Sequence, residues 1–132
     1  MDAMKTHGAF SWSELMTPNP GAAAEFYGSL FGWKLETMDM QGGKYTVAKL
    51  GEQPIAGMMD STACGEGAPP MPTVWGCYVT VDNVDETIAK CTALGGAVLM
   101  PPMDVPTVGR MACIRDPQGA TISVITYESQ KA

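Results

Sequence analysis

The chain has 132 residues, 45% of them hydrophobic, a mean hydropathy of +0.01 and a formal charge of −6. That length supports one compact body with a real core, whereas each half alone is marginal. Two arginines and six scattered lysines form no basic patch that could follow a phosphate backbone, which argues against nucleic-acid binding.

No apolar run approaches the roughly 20 residues of a membrane span, and the opening MDAMKTHGAF has no signal-peptide core. The expectation is a cytoplasmic protein with no membrane partner. Cys64, Cys77, Cys91 and Cys113 show neither paired metal spacing nor a disulfide framework, so they read as reduced thiols. Three fall in predicted strands or a helix as small hydrophobes, and Cys64, in a loop, is expected to be the most reactive.

Residues 1 to 8 lack periodicity and read as a loose lead-in that carries the sole histidine, His7. Phe10 to Met16 alternates as a strand with Trp12, Glu14 and Met16 on one face. Thr17-Pro18-Asn19-Pro20 then supplies a cap and a first-turn proline for a helix ending at Phe31. Within it, AEFYGSLFGW places Phe26, Tyr27, Leu30, Phe31 and Trp33 at helical spacing, a stripe expected to be buried, and Gly32 suits a left-handed stop.

Strands at Trp33 to Met40, Lys44 to Leu50 and Pro54 to Met59 follow, with Gln41-Gly42-Gly43 and Gly51-Glu52-Gln53 as turns. The Gly- and Pro-rich segment from Ser61 to Pro72 is a linker. Beyond it the order repeats: a strand at Val74 to Val81, Asp82 as helix cap, a helix from Val84 to Leu94 stopped by Gly95-Gly96, then strands at Ala97 to Met100, Gly109 to Arg115 and Ala120 to Tyr127. Asp116-Pro117-Gln118-Gly119 suits a type I turn. At a constant offset Trp12 maps onto Trp75, Thr17 onto Thr80, Asn19 onto Asp82, Phe31 onto Leu94 and Gly32 onto Gly95, which marks an internal repeat. The first unit spans residues 9 to 60, the linker 61 to 72 and the second unit 73 to 127.

A tandem strand, helix, three-strand unit with FYxxLFGW closing the first helix and DPxG before the last strand resembles the vicinal oxygen chelate superfamily of glyoxalase I, bleomycin-resistance proteins and extradiol dioxygenases. The resemblance covers roughly residues 9 to 127. It implies an α+β fold in which tandem βαβββ units form a curled mixed sheet, a cup with helices on its convex side. It also implies a ligand in the cup and, in metal-dependent members, a divalent ion held by His, Glu or Gln from first and last strands. Carried over by spacing, those positions are Trp12 and Trp75, Ser123, and Gly57 or Met58, none a strong donor to such an ion. No metal and no cofactor are therefore expected.

Trp12 and Trp75, at equivalent places in the repeat, suggest instead an aromatic cup that stacks on a flat ligand, and the methionines of neighbouring strands suggest a pliable interior. Glu14, two residues beyond Trp12, is the candidate general base or ligand acceptor, with pairing to Lys44, Lys49 or Arg110 as its plainer role. Cys77, Tyr45, Met58, Arg110 and Ser123 are further candidate lining residues. Three readings stand: a metal-independent binder of a small apolar or aromatic molecule; a glyoxalase- or dioxygenase-like enzyme, metal-free through Glu14 or with an unusual metal site; and a partner-binding module. The two units also allow pairing across chains, and a homodimer is expected.

Overall fold

A computed structural model describes residues 1–40, 43–61 and 72–128. The turn residues Gln41 and Gly42, most of the linker and Cys64 lie outside the described residues. The elements run β1 (Phe10–Thr17), α1 (Pro20–Phe31), β2 (Lys34–Met40), β3 (Gly43–Leu50), β4 (Gln53–Asp60), β5 (Val74–Thr80), α2 (Val84–Ala93), β6 (Ala97–Val105), β7 (Gly109–Arg115) and β8 (Thr121–Tyr127), after a single 3-10 turn at Ala3–Lys5. The architecture is α+β, each helix following the first strand of a βαβββ series. No helix among the described residues is long and apolar enough to cross a membrane.

The chain divides into two compact units, Trp12–Gly76 and the combination of Met1–Ser11 with Cys77–Ala132, called here the first and second unit. In the first, the strands lie in the order β2-β3-β4-β1, with β1 parallel to β4 and the other pairs antiparallel. In the second the order is β5-β8-β7-β6, again with one parallel pair, β5 and β8. A β-strand, helix, β-strand series returns its chain parallel, and the hairpins that follow are antiparallel.

Helix boundaries follow local chemistry. Asn19 Oδ1 accepts from Ala22 N–H at 3.1 Å, Pro20 occupies the first turn, and Gly32, at φ 75°, closes α1 through its N–H to Gly28 O. In α2 the cap is Asn83, whose Oδ1 accepts from Glu86 N–H at 3.0 Å, and not the expected Asp82. Asn19 and Asn83 are 64 positions apart, whereas the two left-handed glycines Gly32 and Gly95 are 63 apart. The second helix is shorter, so the constant offset holds at the helix stops and slips by one residue at the helix starts.

The apolar stripe of α1 also differs from expectation. None of its residues is buried, and Phe26, Leu30 and Phe31 are 60%, 57% and 55% exposed. The half-buried residues are Pro20, Ala23, Ala24, Tyr27 and Gly28. A side chain on Gly28 would meet Leu35 Cδ2 of β2 at 3.1 Å, so the helix settles on its sheet through small residues and turns its largest ones outward. Beneath it Leu15, Thr46, Ala48, Ala56 and Met58 form a buried layer. In the second unit Val84 of α2 packs with Val81, Ala112 and Val124, with Val79, Ile88 and Ile114 around them.

Two further local differences have plain causes. The lead-in is docked: Thr80 accepts from Gly8 N–H and donates to Ala9 O, its hydroxyl donates to Ala3 O at 2.7 Å, and Asp82 N–H donates to His7 Nδ1 at 3.0 Å. β6 runs through Pro101-Pro102 to Val105, five residues past its expected end. Prolines are tolerated there because β6 is the outermost strand of its unit and the register shifts on either side of Met100 absorb the missing donors.

Candidate functional site

The register sorts the candidate residues by face. On β1, Leu15 pairs with Met58 in the layer beneath α1, so Trp12 and Glu14 point to the opposite face. Tyr45 pairs with Met59, and Glu14 with Gly57, which puts Tyr45, Gly57 and Met59 on that same opposite face. There three polar groups are joined: Trp12 Nε1–H donates to Tyr45 Oη at 2.9 Å, and Tyr45 O–H donates to Glu14 Oε2 at 2.8 Å. All three side chains are half-buried.

Gly57 makes this arrangement possible. A Cβ at that position would coincide with the Tyr45 hydroxyl and lie 2.8 Å from Tyr45 Cε2. Only a residue without a side chain lets the phenol lie across β4 and reach from Trp12 to Glu14. The phenol fixes the Glu14 carboxylate, and the indole N–H fixes the phenol. The result is a preorganised acceptor beside an aromatic ring.

Trp75 stands elsewhere. Its Nε1–H donates to Tyr27 Oη of α1 at 3.1 Å, and its ring meets Tyr27 at 5.3 Å and Trp33 at 6.2 Å, both edge to face. Phe31 and Phe26 extend the cluster along the helix. Because the helix caps are 64 apart, the counterpart of Trp12 is Gly76. A slip of one residue exchanges the faces of a strand, so Trp75 lies on the α1 side of the first unit and Trp12 on the other.

The same parity governs the rest. Met58 is fully buried in the layer beneath α1. Cys77 is exposed and shares its face with Val79, which packs against the α2 core. Arg110 lies on the α2 side as well: its Nε and Nη2 donate to the Asp85 carboxylate at 2.8 and 3.0 Å, and its Nη1 is 3.2 Å from Asp104 Oδ2. These two carboxylates, Asp85 foremost, push its pKa further above its ordinary value.

Ser123 lies on the face of the second unit opposite α2, in register with Tyr78 and Cys113. Burial raises the Cys113 thiol pKa, with a hydrogen bond to Ser123 pulling the other way. Burial likewise raises the pKa of Tyr127, whose hydroxyl is 2.7 Å from Ser11 Oγ. The structure thus joins Trp12, Tyr45 and Glu14, and distributes Trp75, Cys77, Met58 and Arg110 over helix-facing surfaces. Gly57 as the enabling residue was visible in the sequence only as one alternative for an empty ligand position.

The metal positions that the resemblance implies do not suit a divalent ion. With the one-residue correction they are Trp12, Gly57, Gly76 and Ser123, and the space beside Gly57 is filled by the Tyr45 phenol. Among the described residues, no three His, Cys, Asp or Glu side chains converge on a point that could hold a metal.

Paired βαβββ units define a class of fold, and comparison places the chain within it. Residues 9–124 match the Glyoxalase/Bleomycin resistance protein/Dioxygenase superfamily, and the chain belongs to that family. It is 40% identical over 128 residues to the putative glyoxylase CFP32 of Mycobacterium bovis, covering 94% of this chain and 46% of that protein. It is 34% identical over 127 residues to the anthracycline biosynthesis protein DnrV of Streptomyces peucetius, covering 89% of this chain and 46% of that one. The chain therefore spans about half the length of these relatives. A methylmalonyl-CoA epimerase from Streptomyces coelicolor shares the fold, with a TM-score of 0.65 at 15% identity over 94% of this chain and 97% of that one.

Proposed function

We propose that the chain binds a small, flat, largely apolar molecule against Trp12, with Glu14 and Tyr45 as its polar anchors and without a divalent metal. The observation that carries this reading is the bonded series Trp12, Tyr45, Glu14 laid over Gly57. An aromatic surface with a few convergent polar groups is the usual make-up of a small-molecule site. The indole face suits stacking, and the oriented carboxylate suits a ligand N–H or O–H. A relative named as an anthracycline biosynthesis protein is consistent with a small-molecule ligand.

A second reading, catalysis, is favoured by the same carboxylate. Glu14 is held at one oxygen by a phenol, as a general base would be positioned, and one relative is called a putative glyoxylase. The two readings separate on Glu14→Gln. For a binder the variant keeps saturable binding of aromatic probes with reduced affinity for those bearing a donor. For an enzyme it abolishes turnover while binding persists. Loss of neither, or binding that survives Trp12→Ala unchanged, overturns the site assignment.

The chain is further taken to act as a homodimer, supported by the outward Phe26, Leu30 and Phe31 of α1, large apolar groups of the kind that contacts bury. A monomeric mass in light scattering at micromolar concentration refutes it.

A further inference from the structure

The chain has eleven methionines, and three of them stand with a cysteine on one face of the second unit. In the β6–β7 ladder Met100 is the cross-strand partner of Cys113, and Met103 that of Met111. Met111 and Cys113 are two apart on β7 and so share a face. Met100 and Met103 are three apart, but the register shift between them absorbs the odd residue and returns both to that face. The intervening Ala112 is completely buried against the α2 core, which fixes the sulfur face as the one away from α2.

We infer that Met100, Met103, Met111 and Cys113 form a binding site for a soft monovalent cation, Cu(I), with three thioethers and one thiolate as donors. Cross-strand partners carry Cβ atoms about 4.5–5.5 Å apart, and successive same-face residues on a strand are about 6.6 Å apart. Thioethers on three rotatable bonds close those gaps onto one ion. The sulfur of Met111 lies on this same face, where it accepts from Tyr78 O–H at 3.7 Å, and it turns from that weak contact towards β6 to join the ion.

The donor set selects the ion. Thioether and thiolate sulfur favour Cu(I), whereas Mg(II), Ca(II) and Mn(II) require oxygen and Zn(II) favours imidazole or several thiolates. The nearest carboxylate in register, Asp104, pairs with Arg110 on the opposite face. Core filling does not account for the group, because Met103 is 43% exposed and Met100, Met111 and Cys113 are only half-buried. The open side at Met103 gives an ion its approach.

Binding balances without redox change. The Cys113 S–H bond breaks, its proton goes to solvent, a sulfur–copper bond forms, and copper remains Cu(I). Because the thiol gives up its proton to become a ligand, each bound ion releases one proton and affinity rises with pH.

The test uses the reduced full chain under anaerobic conditions, titrated into a chromophoric Cu(I)–chelator complex, with Ag(I) as a redox-inert probe. The expected result is transfer of one Cu(I) per chain. Met103→Leu and Met111→Leu, which keep side-chain volume and all cysteines, each weaken it by about tenfold or more, the cost commonly seen on disturbing a metal site. Cys77→Ser and Met38→Leu leave affinity unchanged. X-ray absorption of the loaded protein shows a sulfur-only shell. Absence of transfer, a nitrogen or oxygen shell, or an affinity unaltered in Met100→Leu, Met103→Leu, Met111→Leu triple variants that melt normally overturns the assignment.

Discussion

Gly57→Ala is the substitution that probes the Trp12, Tyr45, Glu14 series most sharply. Gly57 does not adopt a positive φ, so alanine is sterically allowed by the backbone and by itself would stabilise the strand by about 0.5–1 kcal/mol. The added methyl, however, occupies the place of the Tyr45 hydroxyl. The phenol must swing away, breaking its bond to Glu14 and the indole bond to its oxygen.

A hydrogen bond to a charged group contributes about 1.5–3 kcal/mol and a neutral one about 0.5–1.5 kcal/mol, reduced here by partial exposure. Setting the strand gain against these losses leaves a net destabilisation of about 1–3 kcal/mol, with overpacking adding to it. Urea unfolding should show a lower midpoint at unchanged slope, and tryptophan emission should shift as the Trp12 N–H loses its partner. In a Tyr45→Ala background the same change should be neutral or stabilising, because the atoms it collides with are gone. An unchanged midpoint and emission for Gly57→Ala alone would refute the geometry.

Three further outcomes follow from the structure. Asn83→Ala should cost about 1 kcal/mol by chemical denaturation, as loss of a helix cap does, while Asp82→Ala stays within about 0.5 kcal/mol; the reverse order would restore the cap to Asp82. Exposed Cys77 should react with a thiol reagent before Cys113, whose thiol is half-buried and held protonated, and mass-mapped labelling that finds Cys113 first contradicts this. Stability should fall on the alkaline side. Cys113 and Tyr127 both have folded pKa values raised above their ordinary 9.0 and 10.0, so the folded chain holds protons that the unfolded chain releases. Their contribution is complete below pH 9 and declines as pH rises through the raised values, and a melting temperature that climbs across that range would contradict the sign.

The fold was legible because it is written locally. Asn19 and Pro20, Gly32 and Gly95, and the Asp116 to Gly119 turn, closed by Gly119 N–H to Asp116 O at 3.0 Å, each act through chemistry within a few residues. The faces were harder to read. Two neighbouring residues, Asp82 and Asn83, are both good caps, and choosing the first moved the repeat by one residue and put Trp75 on the wrong side of its strand.

The α1 stripe misled for a related reason: periodicity locates an apolar face but not which neighbour accepts it, and Gly28 against Leu35 drew the small face inward. The Trp12 and Glu14 face was readable from alternation alone. The role of Tyr45 was not, since its contact with both depends on the absence of a side chain at Gly57 in a strand more than ten residues away. The sulfur group was hidden because a proline pair and a bulge in β6 mask the alternation that aligns Met100 with Met103.

The most direct test of the account is a fluorescence titration of the Trp33→Phe, Trp75→Phe chain, in which Trp12 is the sole tryptophan, with flat aromatic probes in chelator and then with added Mg(II), Mn(II) or Zn(II). The account predicts saturable quenching of Trp12 that is the same under all conditions and is lost in Trp12→Phe when followed by calorimetry. Quenching that appears only with a divalent metal, or calorimetric binding that persists undiminished without the indole, would contradict it.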